Sequence, residues 1–233
     1  MMKFSSFLYP QRCPICDGIV DMIRPQICPD CRRKIPVCRE PRCVICGKKV
    51  LSDREMYCSD CMELSHEFLQ GRSAWMYDGV VRRSLYRFKF ANRRMYAPFY
   101  AQEMMRQMGH WLMTRDADAL IPVPVSRKKL HARGYNQAAL LARELGVYTR
   151  IEVRGDLLLR REGFVQQKAL SRTLRRQNLR HAFYVPDGAQ VPRTVILVDD
   201  IYTTGSTIDA ASHVLRRAGV KNIYAAYLCV GES

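Results

Sequence analysis

Val195-Ile196-Leu197-Val198-Asp199-Asp200-Ile201-Tyr202-Thr203-Thr204-Gly205-Ser206-Thr207 is the stretch that decides the fold. Its unbroken apolar start, entered from Thr194, fits a strand buried on both faces, as in parallel sheets covered by helices. Two carboxylates end the strand. A loop of hydroxyls and one glycine follows, and a helix then runs from Ser206 to Ala218 and stops at Gly219. Ligands of open α/β sheets bind at the carboxyl ends of strands. Backbone N–H groups of such a loop, with a helix N-terminus behind them, form an anion site. Gly205 permits a backbone conformation that other residues resist. Thr203, Thr204, Ser206 and Thr207 add hydroxyl donors, and Asp199 and Asp200 suit vicinal ribose hydroxyls, directly or through Mg²⁺. An acidic turn with a helix cap explains one Asp or one Ser, but not the whole arrangement.

Outward from this stretch, strands and helices alternate. Ala74–Tyr77, Ala119–Ile121, Leu157–Leu159 and Ile223–Leu228 read as strands. Val81, Leu85 and Phe88 recur at helical spacing, as do Met104, Met105, Met108, Trp111 and Leu112, and both stripes read as core. Ala138–Leu145 is a helix with Asn136 as a cap near its start. Ser171–Leu179 reads as a basic helix. The alternation predicts an α/β fold: a parallel sheet flanked by helices over residues 73–233.

The first 62 residues differ. Nine of the 10 cysteines lie there, as Cys13-Pro-Ile-Cys16, Cys28-Pro-Asp-Cys31, Cys43-Val-Ile-Cys46 and Cys58-Ser-Asp-Cys61, with Cys38 outside the pairs. The second set repeats the first at an offset of 30 residues, an internal duplication. Two thiolates two residues apart grip one metal from a tight turn, and two such turns complete a tetrahedral all-thiolate site with no open position. So short a region with few large apolar side chains needs metal binding to supply folding free energy. Disulfides fit a reducing compartment poorly, and a redox dithiol would sit in a βαβ pattern that is absent here. The expectation is a small domain over residues 1–62 with two structural zinc ions. Sequential and cross-braced pairing both remain open. Cys38 and Cys229 read as ordinary thiols.

Composition sets the outer bounds. The chain has 233 residues, 48% hydrophobic and 26% charged, as in a folded globular protein. No apolar run approaches the ~20 residues of a membrane span, and no signal peptide is legible at the N-terminus. The chain reads as cytoplasmic. Net charge is +16, which two zinc ions and eight thiolates lower to about +12. Residues 62–72 are polar and read as a linker.

The 195–207 segment resembles the phosphoribosyl pyrophosphate (PRPP) signature of type I phosphoribosyltransferases. Ile121-Pro122-Val123-Pro124 followed by Arg133-Gly134-Tyr135-Asn136-Gln137 resembles the pyrophosphate-loop region of ComF/GntX proteins. Gln167, Leu170, Arg175, Asn178, Ala182 and Phe183 match that family's basic flexible-loop region, and the duplicated cysteine region resembles its double zinc ribbon. The resemblance implies a type I phosphoribosyltransferase fold, PRPP as ligand, and a link to competence for DNA uptake. It names no acceptor.

On that reading, residues 203–207 anchor the 5′-phosphate and Asp199 and Asp200 hold the ribose. Arg127, Lys128, Lys129 and Arg133, with Mg²⁺, neutralise the departing pyrophosphate. The region 160–172, with Arg160, Arg161, Gln167 and Arg172, serves as a lid that excludes water. The salvage enzymes for 6-oxopurines carry an Asp base where this chain has Thr203, which argues against those acceptors. His131 reads as a solvated loop side chain. A second hypothesis is a competence factor that binds single-stranded DNA, or a DNA-uptake protein, and uses the fold as a PRPP sensor or relic. Its basis is the basic clusters 82–94, 127–133 and 172–180, the first interleaved with Tyr86, Phe88, Phe90 and Tyr96. The same spacing puts Leu85 and Phe88 on a core face.

Overall fold

The computed structural model describes residues 11–20, 27–162, 179 and 181–231. In chain order its elements are α1 (Pro29–Lys34), α2 (Ser59–Glu63), β1 (Gln70–Met76), α3 (Gly79–Phe90), a 3₁₀ turn (Arg94–Tyr96) and α4 (Ala97–Met113). There follow β2 (Ala119–Pro122), α5 (Arg127–Arg133), α6 (Gln137–Thr149), β3 (Glu152–Val153), β4 (Leu159–Arg160), β5 (Phe183–Tyr184), β6 (Thr194–Tyr202), α7 (Ser206–Arg217) and β7 (Asn222–Val230).

Five strands form one sheet in the order β1-β7-β6-β2-β3, and every pair is parallel. β6 is the central strand, and its Val195–Val198 run is fully buried, as its apolar sequence requires. Side chains alternate between two cores. Ile196, Val198, Leu120, Ala226 and Leu228 face α3, α4 and α6. Val195, Leu197, Ile121, Ala225 and Tyr227 face α7. After β2 the chain turns toward β3, and after β6 it turns the other way, toward β7. The loops that follow β2 and β6 therefore part at their carboxyl ends, and this topological switch point is where open α/β sheets bind ligands. The architecture is α/β with a zinc-ribbon N-terminus, and it is consistent with the expected type I phosphoribosyltransferase fold.

The two cysteine repeats have matching backbones. In each, a tight turn carries the first pair, closed by Cys13 N–H to Gly18 O at 2.8 Å and by Cys43 N–H to Lys48 O at 2.7 Å. In each, the second pair begins at the N-cap of a short helix, Cys28 for α1 and Cys58 for α2. Neither ribbon has a core of its own. Ile15, Val20, Ile27 and Ile35 of the first ribbon join the core that holds Phe88, Phe99 and Tyr100. Val50 and the cysteines of the second join the opposite core, with Tyr202, Tyr227, Ile208 and Ala211. The duplicated ribbons thus flank one sheet on its two faces.

Two sequence expectations change. Residues 62–72 are not a free linker: β1 starts at Gln70, Phe68 is buried, and His66 packs against α7. Leu157–Leu159 is not a full strand. Leu157 and Leu158 are buried in a turn, and only Leu159 and Arg160 pair, antiparallel with β5. The expected Ser171–Leu179 helix lies, but for Leu179, outside the described residues. Cys38 and Cys229 are both buried.

Candidate functional site

The eight paired cysteines gather into two clusters, Cys13–Cys16–Cys28–Cys31 and Cys43–Cys46–Cys58–Cys61, each with its Sγ atoms within 4.8 Å of one another. None of the cysteines is in a disulfide. Neighbouring sulfurs lie 3.8 Å (Cys13–Cys28) and 3.5 Å (Cys46–Cys58) apart. A tetrahedron with Zn–S bonds of ~2.3 Å has edges of about 3.8 Å, so both donor sets fit zinc. Pairing is sequential, first with second and third with fourth, and the cross-braced alternative is excluded. Cys16 is exposed in the first cluster, whereas all four cysteines of the second are buried.

At the switch point, Asp199 and Asp200 end β6. Asp199 Oδ1 accepts from Asp200 N–H at 2.8 Å. Desolvation, and then the charge of Asp200, push the Asp199 carboxyl up to about 8. Asp200 is buried and pairs with Lys89 Nζ at 2.6 Å. Burial works against the Lys89 ammonium, but the charges of Asp200 and Asp199 outweigh it and raise its pKa. Lys89 sits at the end of α3 and was missed as a site residue in the sequence. Its side chain crosses from another element, and no local spacing reveals that.

The loop after β6 has the expected shape. Gly205 caps α7 in the left-handed conformation (φ +75°), and a Cβ there would collide with the Tyr202 ring. Thr204 and Ser206 hydroxyls meet at 2.9 Å, and Thr203 is exposed. Asp209 N–H donates to Gly205 O at 2.8 Å, closing the first helical turn behind the loop.

The segment after β2 divides into two roles. Gly134 (φ +75°) ends α5, Tyr135 is buried with its hydroxyl donating to Phe88 O, and Asn136 caps α6 through Ala138 N–H at 3.0 Å. Asn136 Nδ2 also holds Val123 O at 3.0 Å. These residues shape the loop. Lys129 and Arg133 supply its charge. Arg133 donates to Gln137 Oε1 at 2.8 Å and lies over the Phe90 ring. Desolvation, followed by the charges of Arg133, Arg160 and Lys89, lowers the Lys129 ammonium. Lys89 thus pairs with Asp200, and exposed Lys129, which feels the charges of Arg133 and Arg160, also feels that of Asp199. Arg127 is exposed and pairs instead with Glu162, and Lys128 and His131 are exposed. Arg161 lies over Tyr184. Gln167 and Arg172 of the expected lid, with Leu170, Arg175 and Asn178, fall outside the described residues. Among the described residues no helix is long and apolar enough to cross a membrane.

Residues 4–62 match the family model for the double zinc ribbon domain. The chain is similar to Competence protein F of Haemophilus influenzae, 36% identical over 148 residues, covering 59% of this chain and 62% of that protein. It is similar to the DNA utilization protein YhgH of Escherichia coli O157:H7, 29% identical, covering 62% and 65%. It is also similar to Competence protein ComFC of Streptococcus pneumoniae, 27% identical, covering 65% and 64%. In each case the match spans just under two thirds of the relative's length. With two preformed all-thiolate clusters at its N-terminus, the chain carries a double zinc ribbon over residues 4–62, and it is similar to Competence protein F, YhgH and ComFC.

Proposed function

We propose that the protein binds PRPP at the switch point between β2 and β6 and transfers its phosphoribosyl group to an acceptor, in a role tied to DNA uptake. The observation that carries this reading is the pairing of an acidic strand end with a glycine-capped loop and helix N-terminus, with Lys89 on Asp200 and Lys129 within the field of Asp199. The loop 203–207 receives the 5′-phosphate on backbone N–H groups and hydroxyls. Asp199 takes the ribose hydroxyls. Mg²⁺, when bound with PRPP, supplies charge neutralisation on pyrophosphate, and Asp199 is the carboxylate open to it, because Lys89 holds Asp200.

In the transfer, the bond from ribose C1 to the pyrophosphate oxygen breaks and a bond from C1 to an acceptor nitrogen forms. Lys129 and Arg133 stabilise the charge that builds on the leaving group. Thr203 cannot act as a base, so the acceptor's proton leaves by another route, and 6-oxopurines are disfavoured. Domain limits of 1–62 and 73–233 remain the working division, with the ribbons docked on the catalytic sheet. The competence and DNA-utilization names of the relatives support a role tied to DNA uptake.

One observation favours a second reading, contact with single-stranded DNA. Tyr86 and Phe90 are exposed on α3 with ring centroids 4.9 Å apart, beside a hollow of about 350 Å³ that Arg82, Arg83 and Lys89 also line. Exposed aromatic rings beside cations suit stacked bases and their phosphates. Phe88 and Tyr96 of the same cluster are buried core. Calorimetric titrations with PRPP, ribose 5-phosphate and pyrophosphate, each with Mg²⁺, test the first reading. PRPP should bind more tightly than either fragment. Equal, weak binding of all three would reduce the site to a nonspecific anion patch.

A further inference from the structure

We infer that His66 and Asp209 are positioning residues that fasten the α7 phosphate loop to the second thiolate cluster, so that the metal of this ribbon sets the loop's geometry. The inference rests on the PRPP reading of the loop for its ligand and on the structure for its linkage. His66 is 143 residues from Asp209 in sequence, yet its Nδ1 lies 3.0 Å from each Asp209 carboxylate oxygen. Its Nε2 lies 3.3 Å from Cys61 Sγ. The imidazole is almost wholly enclosed, at 1% exposure. One ring therefore joins a metal-cluster sulfur to the first turn of α7.

The fastening has further points. Glu67 N–H also donates to Asp209 Oδ1, at 3.3 Å. One helical turn on, Glu67 Oε1 meets His213 Nδ1 at 3.1 Å. Another turn on, Glu67 O accepts from Arg216 at 3.0 Å. Residues 209, 213 and 216 lie on one helix face, so the segment after the second ribbon runs along α7 like a splint. At the loop end, Phe68 lies between the His66 ring (4.9 Å) and the Tyr202 ring (6.3 Å), and Tyr202 is the ring beneath Gly205.

A simpler account makes Asp209 an ordinary acid in a helix's first turn, where the dipole favours it. That account requires neither burial nor an imidazole against a metal ligand. Partners around metal ligands orient the ligands and tune their charge, and losing one typically costs 10–100-fold in metal affinity or activity. The first ribbon has no matching imidazole: the residue at the 30-residue offset from His66 is Pro36.

The test uses the full chain carrying zinc. Wild type, His66→Ala and His66→Gln are compared by zinc release to a chromophoric chelator, by the charge-transfer spectrum after cobalt substitution, and by calorimetry with PRPP and Mg²⁺. In His66→Ala, one of the two ions should leave about tenfold faster and one cobalt band set should shift, while the other ion behaves as in wild type. PRPP affinity should fall about tenfold, and His66→Gln, which keeps a donor, should recover part of both losses. Saturating PRPP should slow release of the same ion in wild type only. Unchanged release of both ions in His66→Ala overturns the linkage, and so does faster release with unchanged PRPP affinity. If wild type binds no PRPP, the PRPP reading fails, and zinc release and the cobalt spectrum alone decide the role of His66.

Discussion

The two ribbons share one backbone and differ in what their side chains do. Asp17 and Gly47 occupy the same position in the two knuckles, and both are left-handed, at φ 65° and 74°. Asp17 uses its side chain to dock: its carboxylate accepts from Arg93 at 2.8 Å and from the Tyr96 hydroxyl. Gly47 has no room for one, since a Cβ would lie 2.8 Å from Gly71 O of β1. Gly18 and exposed Asp30 of the first ribbon correspond to Lys48 and Asp60 of the second, which form a buried ion pair at 2.7 Å. The first ribbon packs Ile15, Val20, Ile27 and Ile35 against the helix side of the core and adds polar contacts to α3 and α4, including Arg32 to buried Glu103 at 2.6 Å. The second is pressed against the sheet itself. A duplicated metal motif can thus brace the helices over one face of the sheet in one copy and press on the core of the other face in the second, and the difference lies in side chains facing the host, not in the metal ligands.

The largest expected effect breaks one cluster at a time. Structural zinc in isolated fingers contributes about 10–16 kcal/mol of apparent folding free energy. Replacing Cys43 and Cys46 with Ser should remove the cooperative thermal melt of the whole chain, because those sulfurs share a core with Tyr202 and Tyr227. Replacing Cys13 and Cys16 should leave a cooperative melt at a lower temperature. Melts beside zinc content check this, and equal losses from the two replacements would erase the distinction between brace and core.

A smaller effect sharpens it. Lys48→Ala takes the ammonium away from Asp60, whose side chain is 9% exposed, and should cost about 3–5 kcal/mol. Asp30→Ala removes an exposed carboxylate, 73% accessible, and should cost about 1 kcal/mol or less. Urea unfolding of both variants gives the two values directly. Similar costs would mean that Lys48 and Asp60 contribute no more than a surface pair.

A further effect concerns pH. The Asp199 carboxyl is raised from the ordinary carboxylate range to about 8, so the folded state holds a proton that the unfolded state has lost. Its contribution to stability is therefore greatest near pH 4 and falls as pH rises through 8. Asp199→Asn lacks this slope. Urea midpoints from pH 5 to 9 should converge for wild type and variant at low pH and separate at high pH, with the variant more stable. Parallel midpoints across the range would place the Asp199 titration elsewhere.

Much of this was legible in the sequence, and the rest was hidden for physical reasons. The buried run Val195–Val198, the Asn136 cap and the thiolate spacing are local patterns, and each appears where its local rule places it. Leu157 and Leu158 are apolar because they are buried, and a short apolar run does not separate a strand from a buried turn. Lys89 to Asp200 and His66 to Asp209 are contacts between distant segments, and a single sequence carries no period for them. The Arg133–Gln137 motif was legible as a unit but not as a division of labour between shaping and charge. The low apolar content of residues 1–62 is legible in the sequence, but not that the ribbons pack into the sheet's two cores, because those contacts run to distant segments.

The most direct test of the central claim, a PRPP site at the carboxyl ends of β2 and β6, is Asp199→Asn alone. The single change keeps an acceptor for Asp200 N–H and leaves the Lys89–Asp200 pair intact, whereas changing Asp200 would strand a buried ammonium. PRPP affinity with Mg²⁺ is measured by calorimetry beside a thermal melt at pH 9, above the raised Asp199 value of about 8, where the carboxylate is charged. Losing a charged hydrogen bond costs roughly 1.5–3 kcal/mol, or about tenfold to hundredfold in affinity. The account predicts that loss with an unchanged or higher melting temperature. Unchanged PRPP affinity in the variant would contradict it.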